Sequence, residues 1–207
     1  MGSFAHYLSL LLGLRTASRR ALFMNVALLV VFGVLVPRFR GYDFFDPVMI
    51  CAYASLSILL AGPAAAQIFS DRPHDLAGVF RRIAAAVAYG EIMSVGALIA
   101  GIVTVNQSHW HGSIVFPDSE VLFSGLALGV SGSLAIAAAA GWITLRFSVG
   151  FAHGAMRIVF LVLLGLFFFW SRWLPDVAAW GAVVCLAAAL ALIAGLRRAV
   201  KNPGPAV

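Results

Sequence analysis

Residues 84–106 read AAAVAYGEIMSVGALIAGIVTVN, an apolar run that contains a single charged residue, Glu91. A helix needs about 20 mostly apolar residues to cross the hydrocarbon core of a membrane, and this run is long enough. It lacks the strict alternation of polar and apolar residues that is typical of strands in a membrane β-barrel. The run therefore predicts a transmembrane helix.

The composition of the whole chain points the same way. Of 207 residues, 62% are hydrophobic and 11% are charged, and the mean hydropathy is +1.00. A soluble domain carries about 25% charged residues, so this chain is too apolar for a water-soluble globule. We therefore predict an all-α integral membrane protein in which residues 1–207 form a single domain of six transmembrane helices. The five runs besides 84–106 that are long enough to span are 20–37, 47–69, 120–145, 155–171 and 177–196.

The positive charges predict the orientation of these spans. Cytoplasmic loops of membrane proteins carry an excess of lysine and arginine. If the N-terminus is cytoplasmic, eleven of the fourteen positive residues lie inside, and the three outside are Arg38, Arg40 and Arg172. Both termini are therefore predicted to lie in the cytoplasm, with the protein in the inner (cytoplasmic) membrane of the cell. The net charge of +6 then reflects inner loops that meet anionic membrane lipids, and no basic stripe with interleaved aromatic residues predicts a nucleic-acid partner.

One charged segment, residues 70–83 (SDRPHDLAGVFRRI), separates the second and third apolar runs. Its apolar residues recur at steps of three and four, as on one face of a helix; they are Leu76, Val79, Phe80 and Ile83. The spacing predicts a short amphipathic helix on the inner membrane surface, and a second amphipathic helix is predicted over residues 1–19. The simplest interpretation of 70–83 is a connector between two spans. The alternative is a surface on which another protein acts.

The order of these elements resembles that of permease subunits of type-2 ABC transporters, including the haem-exporter permeases of cytochrome c maturation. In that family an acid- and arginine-bearing stretch follows the second span, and a glycine and a helix lead into the third. The matching residues here are Asp71, Arg72, Asp75, Leu76, Ala77, Gly78 and Phe80. The resemblance implies that 70–83 is a coupling helix, which rests in a cleft of a separate cytoplasmic ATPase subunit. It implies six ATPase-binding residues: Asp71, Arg72, Asp75, Leu76, Gly78 and Phe80.

The same resemblance implies a permease subunit that moves a cargo with energy from that ATPase, together with a second permease copy or a related subunit. The chain has no G-x-x-x-x-G-K-[ST] loop, the motif that cradles nucleotide phosphates. ATP and magnesium are therefore expected on the partner subunit, and neither a cofactor nor a catalytic residue is expected in this chain. The apolar spans favour a lipidic or amphipathic cargo.

Two other classes of function stay open. A non-catalytic membrane anchor or assembly subunit of a larger complex would explain the short loops equally well, and its charged segment would bind a partner without a link to ATP. A membrane enzyme is the third class, although no nucleophile–base pair and no intramembrane His/Glu set occurs at helical spacing.

Glu91 is the ionisable residue that lies most clearly inside a predicted span. Charged residues are costly at that depth and are functional candidates for this reason, so Glu91 is a candidate for lining a transport pathway. The alternative is a structural carboxylate that reaches the interface or pairs with Arg81, with Arg82 or with an arginine of another span. His109 and His111, in the predicted outer loop, are weak candidates for metal ligands, but spacing fixes no third ligand. No metal site is therefore predicted.

Small residues in the fourth predicted span let helix backbones approach closely. Gly125 and Gly129 are one helical turn apart there, and we expect them to pack within the bundle. The alternative is a contact between two copies of the chain. In the second span, Pro63 is expected to kink its helix.

Overall fold

The computed structural model describes residues 3–14, 19–69, 75–108, 114–147 and 149–201. Every regular element within these ranges is helical, which confirms the all-α part of the predicted fold class. The α-helices are α1 Phe4–Leu11, α2 Arg19–Val30, α3 Val36–Arg40, α4 Pro47–Ala54, α5 Ser57–Ile68, α6 Leu76–Ser108, α7 Ser119–Arg146, α8 Val149–Trp170 and α9 Leu174–Lys201. A π-helical turn, Val31–Leu35, joins α2 to α3, and 3-10 turns occupy Gly41–Phe45 and Ser171–Trp173.

Five helical stretches of the described chain are long and apolar enough to cross a membrane. They match five of the six predicted runs, although the second stretch ends at Ile68, one residue before the predicted run 47–69 does. The sixth run, 155–171, falls on α8, whose described apolar part is the shorter segment Gly150–Leu163. The chain thus has the helices of a multi-pass membrane protein. The five stretches are Arg20–Phe45, Pro47–Ile68, Leu76–Ser108, Ser119–Arg146 and Leu174–Arg198.

Three buried clusters hold the described helices together, and the smallest of them joins α4 and α5 to α7 and α9. The largest joins α1 to α5, α6, α7 and α9 around Phe69, and we call this half of the bundle the α1 end. The second surrounds Phe44 and joins α4 to α6 at the opposite end. Between these two clusters, α5 packs against both α6 and α7, and α7 packs along α9. The broken helix α4–α5 therefore runs through the centre of the bundle.

Glycines of α7 allow this close packing. A Cβ atom on Gly125 would lie 2.9 Å from Ala54 Cβ, and one on Gly129 would lie 2.6 Å from the Ala54 carbonyl oxygen. Gly141 is equally close to the ring of Phe69. The prediction that Gly125 and Gly129 pack within the bundle is confirmed.

The second long stretch is interrupted at Ser55–Leu56, between α4 and α5. The backbone N–H and the hydroxyl of Ser55 both donate to the carbonyl of Cys51, at 3.0 and 2.7 Å. Such a bond from a serine side chain to its own helix bends the helix. The sequence predicts a kink at Pro63, and α5 continues as a helix through that residue, so the kink stays a prediction. The break lies two turns earlier in the chain.

A second irregularity lies in the first stretch and was not predicted. Pro37 has no N–H group, so the carbonyl of Gly33 loses the donor that a regular helix would give it. The hydroxyl of Thr104, on α6, donates to that carbonyl at 3.0 Å. The hydroxyl of Tyr53, on α4, donates to the neighbouring carbonyl of Phe32 at 2.7 Å. These two bonds fix the π-helical turn against α4 and α6.

The charged segment differs from the prediction of a separate helix over 70–83. Residues 70–74 lie outside the described residues, and from Leu76 onward the chain is one uninterrupted helix to Ser108. The residues that follow Val79 are mostly alanine, arginine and isoleucine, which continue a helix at little cost. The second half of the segment is therefore the first part of α6.

The N-terminal helix is also shorter than predicted. Of the range 1–19, the structure forms α1 over Phe4–Leu11, with the Ser3 hydroxyl accepting a bond from the N–H of His6. Gly13 has a φ of +74°, a conformation that favours glycine and ends helices. Residues 15–18 lie outside the described residues.

Candidate functional site

The start of α6 carries four of the six predicted ATPase-binding residues, and the other two, Asp71 and Arg72, lie outside the described residues. Asp75 accepts a hydrogen bond from the N–H of Gly78 at 2.9 Å, as a helix N-cap does. Its other carboxylate oxygen lies 3.6 Å from Arg81. An ion pair this exposed contributes little to stability. Asp75 therefore has a structural role, to begin α6.

The predicted apolar stripe of this segment divides into two faces. Val79 and Ile83 are buried in the core, at 0% and 2% exposure. Phe80 points the other way and is 41% exposed, between the exposed residues Ala77 and Ala84. Leu76 and Gly78 are half-buried. The start of α6 thus presents one apolar knob, Phe80, with small residues one turn before and one turn after it.

Arg82 ties the start of α6 to two other elements. Its side chain is 6% exposed, and its Nε donates to the hydroxyl of Tyr7 at 3.1 Å. Its guanidinium carbon lies 5.1 Å from the centroid of the Tyr7 ring and 5.7 Å from that of Phe69. Both distances suit cation–π attraction. Arg82 therefore links α6 to α1 and to the end of α5, a role that the sequence did not suggest.

Glu91 lies near the middle of α6, fifteen residues after Leu76. Its Oε1 atom is buried and has no hydrogen-bond partner among the described residues. The proposed pairing with Arg81 or Arg82 is wrong, because Arg81 faces Asp75 and Arg82 faces the two aromatic rings. Glu91 is therefore a half-buried residue with one enclosed carboxylate oxygen and without a cationic partner in the described chain.

Serine hydroxyls surround the interruption of α4–α5 at the level of Glu91. The Ser57 hydroxyl faces the Glu91 carboxylate but stands outside hydrogen-bond geometry, since Ser57 Oγ has no partner among the described residues. Ser133 Oγ is buried and unpartnered in the same way. The Ser94 hydroxyl differs, because it donates to the carbonyl of Tyr53 just before the break. These serines could not be picked out from sequence, since their positions follow from how the helices pack.

A cavity of about 380 Å³ lies toward the α1 end, between α2 and α5. A short chain of hydrogen bonds closes one side of it: Tyr89 donates to Asn25 at 2.7 Å, and Asn25 donates to the carbonyl of Leu11 at 2.9 Å. The remaining wall is apolar apart from Gln67. The lining residues are Leu11, Ala21, Met24, Asn25, Leu28, Leu59, Leu60, Pro63, Ala64, Gln67, Tyr89 and Phe160.

The predicted outer-loop histidines, His109 and His111, lie outside the described residues. Within the described chain, no group of three or more His, Cys, Asp or Glu side chains could hold a metal ion.

Comparisons of the chain with protein-family models, with curated proteins and with solved structures found no match.

Proposed function

We propose that this chain is the permease subunit of an ATP-driven transporter, and that the start of α6 receives the push of a separate cytoplasmic ATPase subunit. The observation that carries the proposal is the continuity of α6. The charged segment from Asp75 and the long apolar run with Glu91 belong to one helix of 33 residues, about 50 Å long. A force on the exposed Phe80 would therefore be carried into the centre of the bundle by a rigid element.

The contacts of α6 with α4 and α5 would transmit this force to those helices. Gly90 packs directly on the backbone of Ser57, since a Cβ there would lie 2.9 Å from the Ser57 carbonyl oxygen. Ser94, one turn further, holds the Tyr53 carbonyl. Both contacts flank Ser55–Leu56, where the backbone N–H groups of Leu56 and Ile58 bond to the third carbonyl before them instead of the fourth. Tilting α6 would thus bend α4–α5 at its weakest point.

The cavity between α2 and α5 is the candidate cargo site. Its wall includes Leu59, Leu60 and Pro63 of α5, so bending at Ser55–Leu56 would change its shape. Ligand pockets of this size range are mostly apolar with a few polar groups that fix orientation. Asn25, Tyr89 and Gln67 supply such groups here, which favours a lipidic or amphipathic cargo.

Several parts of the proposal follow from the sequence. Six spans with both termini in the cytoplasm would place Phe80 on the cytoplasmic side, where an ATPase with its bound ATP and magnesium could reach it. The protein would lie in the cytoplasmic membrane, among anionic lipids. A second permease copy or a related subunit would complete the pathway, and ATP hydrolysis would take place on the partner.

The second candidate function is a membrane anchor or assembly subunit. It is favoured by the same exposed Phe80, because an apolar knob beside small residues suits any partner with a pocket of matching shape. The two functions differ in the nature of that partner. An ATPase domain is required for the first and is not expected for the second.

Co-purification tests this choice. We expect the tagged wild-type chain, extracted in mild detergent, to carry an ATPase subunit that mass spectrometry identifies. Phe80→Asp should reduce its recovery at least tenfold, because a buried interface aromatic contributes about 2 kcal/mol or more and a carboxylate cannot replace it.

Phe116→Asp is the matched control. Phe116 is 73% exposed and lies in the predicted outer loop, so the same substitution there should leave the ATPase bound. Phe80→Ala removes the ring without adding a charge near the membrane. It should also reduce recovery of the ATPase if the ring itself makes the contact. A partner without an ATPase domain would support the anchor, and equal recovery with Phe80→Asp would rule out the start of α6 as the docking element.

A further inference from the structure

We propose that Glu91, Ser57 and Ser133 form a binding site for one monovalent alkali cation at the interruption of α4–α5. The proposal goes beyond the transport function above and does not depend on an ATPase. It rests on unpartnered oxygens, on helix packing and on charge.

The first observation is a set of unsatisfied polar atoms. Among the described residues, four buried side-chain atoms have no hydrogen-bond partner: Ser57 Oγ, Arg82 Nη1, Glu91 Oε1 and Ser133 Oγ. Buried polar groups are normally bonded, and each exception calls for an explanation. Three of the four are oxygens, one each on α5, α6 and α7. Oxygen atoms of carboxylates and hydroxyls are the ligands that hard cations take.

The second observation is that Ser57 packs against both α6 and α7. Ser57 lies between two glycines: a Cβ on Gly90 would be 3.3 Å from Ser57 Cβ, and one on Gly129 would be 2.8 Å from Ser57 Oγ. Glu91 directly follows Gly90, and its carboxylate faces the Ser57 hydroxyl. Ser133 lies one turn beyond Gly129 on α7 and is fully buried. Helices α5, α6 and α7 each contribute one oxygen.

The third observation is the charge of this region. Arg82 is the nearest cationic residue along α6 before Glu91, about 14 Å away along the helix axis, and its guanidinium stacks on Tyr7 and Phe69. A carboxylate in an apolar interior requires a compensating charge. Because the site has one carboxylate, a single positive charge balances it. This favours a monovalent over a divalent cation.

The end of α4 adds to the attraction. The last carbonyls of a helix carry partial negative charge, and interrupted helices in membrane proteins coordinate cations with such ends. The Ala54 carbonyl, last in α4, packs against Gly129 beside the Ser57 hydroxyl. A water molecule would satisfy hydrogen bonds here without balancing the charge. A proton on Glu91 would also balance the charge, and the acid could then donate one hydrogen bond and accept another; the pH dependence of Tm separates that case from a bound cation.

Two other serines provide matched controls. Ser55 Oγ donates to the carbonyl of Cys51, and Ser131 Oγ donates to that of Ala127, both at 2.7 Å. Each of these hydroxyls already donates a hydrogen bond within its own helix, so it does not require a ligand. Ser131 lies on α7 only two positions before Ser133, so it controls for loss of a hydroxyl in the same region.

The test is thermal unfolding of the purified full chain at neutral pH and constant ionic strength, with choline chloride replaced by sodium or potassium chloride. We expect at least one alkali cation to raise the Tm of the wild type by several degrees, since a ligand that binds the folded state stabilises it. Glu91→Gln, Ser57→Ala and Ser133→Ala should each lose most of that shift. Ser131→Ala should keep it.

Direct binding of radioactive sodium or rubidium to the same proteins gives a second readout, with one cation per chain expected for the wild type and for Ser131→Ala. An unchanged Tm with no bound cation would overturn the proposal. A cation effect that survives in Glu91→Gln would also overturn it. A Tm that depends on pH in choline alone, and loses that dependence in Glu91→Gln, would assign the carboxylate to a proton instead. Neither measurement requires a partner protein. A negative result would therefore overturn the cation site without bearing on the proposed ATPase coupling, which the co-purification experiment tests.

Discussion

Replacing Phe44 with alanine is expected to lower the free energy of unfolding by about 3–5 kcal/mol, the usual range for a fully buried phenylalanine. Phe44 is 0% exposed and lies in the 3-10 turn Gly41–Phe45. Its ring centroid is 5.1 Å from that of Tyr53, in an edge-on arrangement. The ring also fills the space beside Gly101, since a Cβ on that glycine would lie 2.5 Å from it. Its loss would leave a cavity between α4 and α6.

Denaturation of the purified chain in detergent checks this value, with Phe39→Ala as the control. Phe39 is 87% exposed, so its truncation should change stability by no more than about 0.5 kcal/mol. A double-mutant cycle adds a sharper test. Gly101→Ala should destabilise the wild type and should be tolerated in Phe44→Ala, where the ring no longer occupies that space. Equal costs in both backgrounds would show that the ring does not pack against Gly101.

Replacing Gly129 with alanine is expected to cost about 2–3 kcal/mol, within the range for forcing extra atoms into a packed core. The added Cβ would lie 2.6 Å from the Ala54 carbonyl oxygen, which is backbone and cannot rotate away. Helix α7 would therefore have to move away from α4–α5 where the two pack together beside Ser57. By the scale for soluble proteins, this cost lowers Tm by roughly 4–12 °C.

Two other glycines show whether this cost comes from packing. Nothing lies within 4 Å of a Cβ built on Gly154 or Gly165. Alanine at either position should leave Tm unchanged or raise it slightly, because alanine favours a helix by about 1 kcal/mol over glycine. If Gly129→Ala behaved like these two, the close approach of α7 to the end of α4 would be wrong.

The sequence was most informative where a single run of residues determines the structure. The stretch 84–106 is apolar over enough residues to require a helix, whatever its neighbours are. The start of that helix was misjudged, because the charges at 81 and 82 suggested a boundary. Arginine has a good helix propensity, and Asp75 already supplies the cap, so the helix continues through them.

The break in α4–α5 could not be predicted from the sequence, because it depends on contacts with other helices. Pro63 is the obvious irregular residue, yet neighbouring helices can accommodate a proline inside a bundle. The actual interruption depends on the Ser55 hydroxyl and on the closeness of Gly90 and Gly129. Those glycines lie on other helices, so their effect on Ser57 is a matter of packing that no local pattern reveals.

Some residues of the candidate sites could be predicted from the sequence and others could not. Glu91 was identified because a charge inside an apolar run is conspicuous, but its unpartnered neighbours Ser57 and Ser133 were not. The link between Arg82 and Tyr7 joins residues 75 positions apart, beyond any motif. The roles assigned to Asp71 and Arg72, and to the outer-loop histidines, stay predictions.

The orientation of the start of α6 is the central claim, because an ATPase can push on Phe80 only from the cytoplasm. Single cysteines at Ala77 and Ile114, in a chain whose Cys51 and Cys185 are replaced, allow it to be measured. Both positions are exposed. A membrane-impermeant maleimide is applied to right-side-out and inverted vesicles. We expect Ala77→Cys to react only from the cytoplasmic face and Ile114→Cys only from the outer face. Reaction of Ala77→Cys from the outer face, or of both cysteines from the same face, would contradict the coupling role of α6.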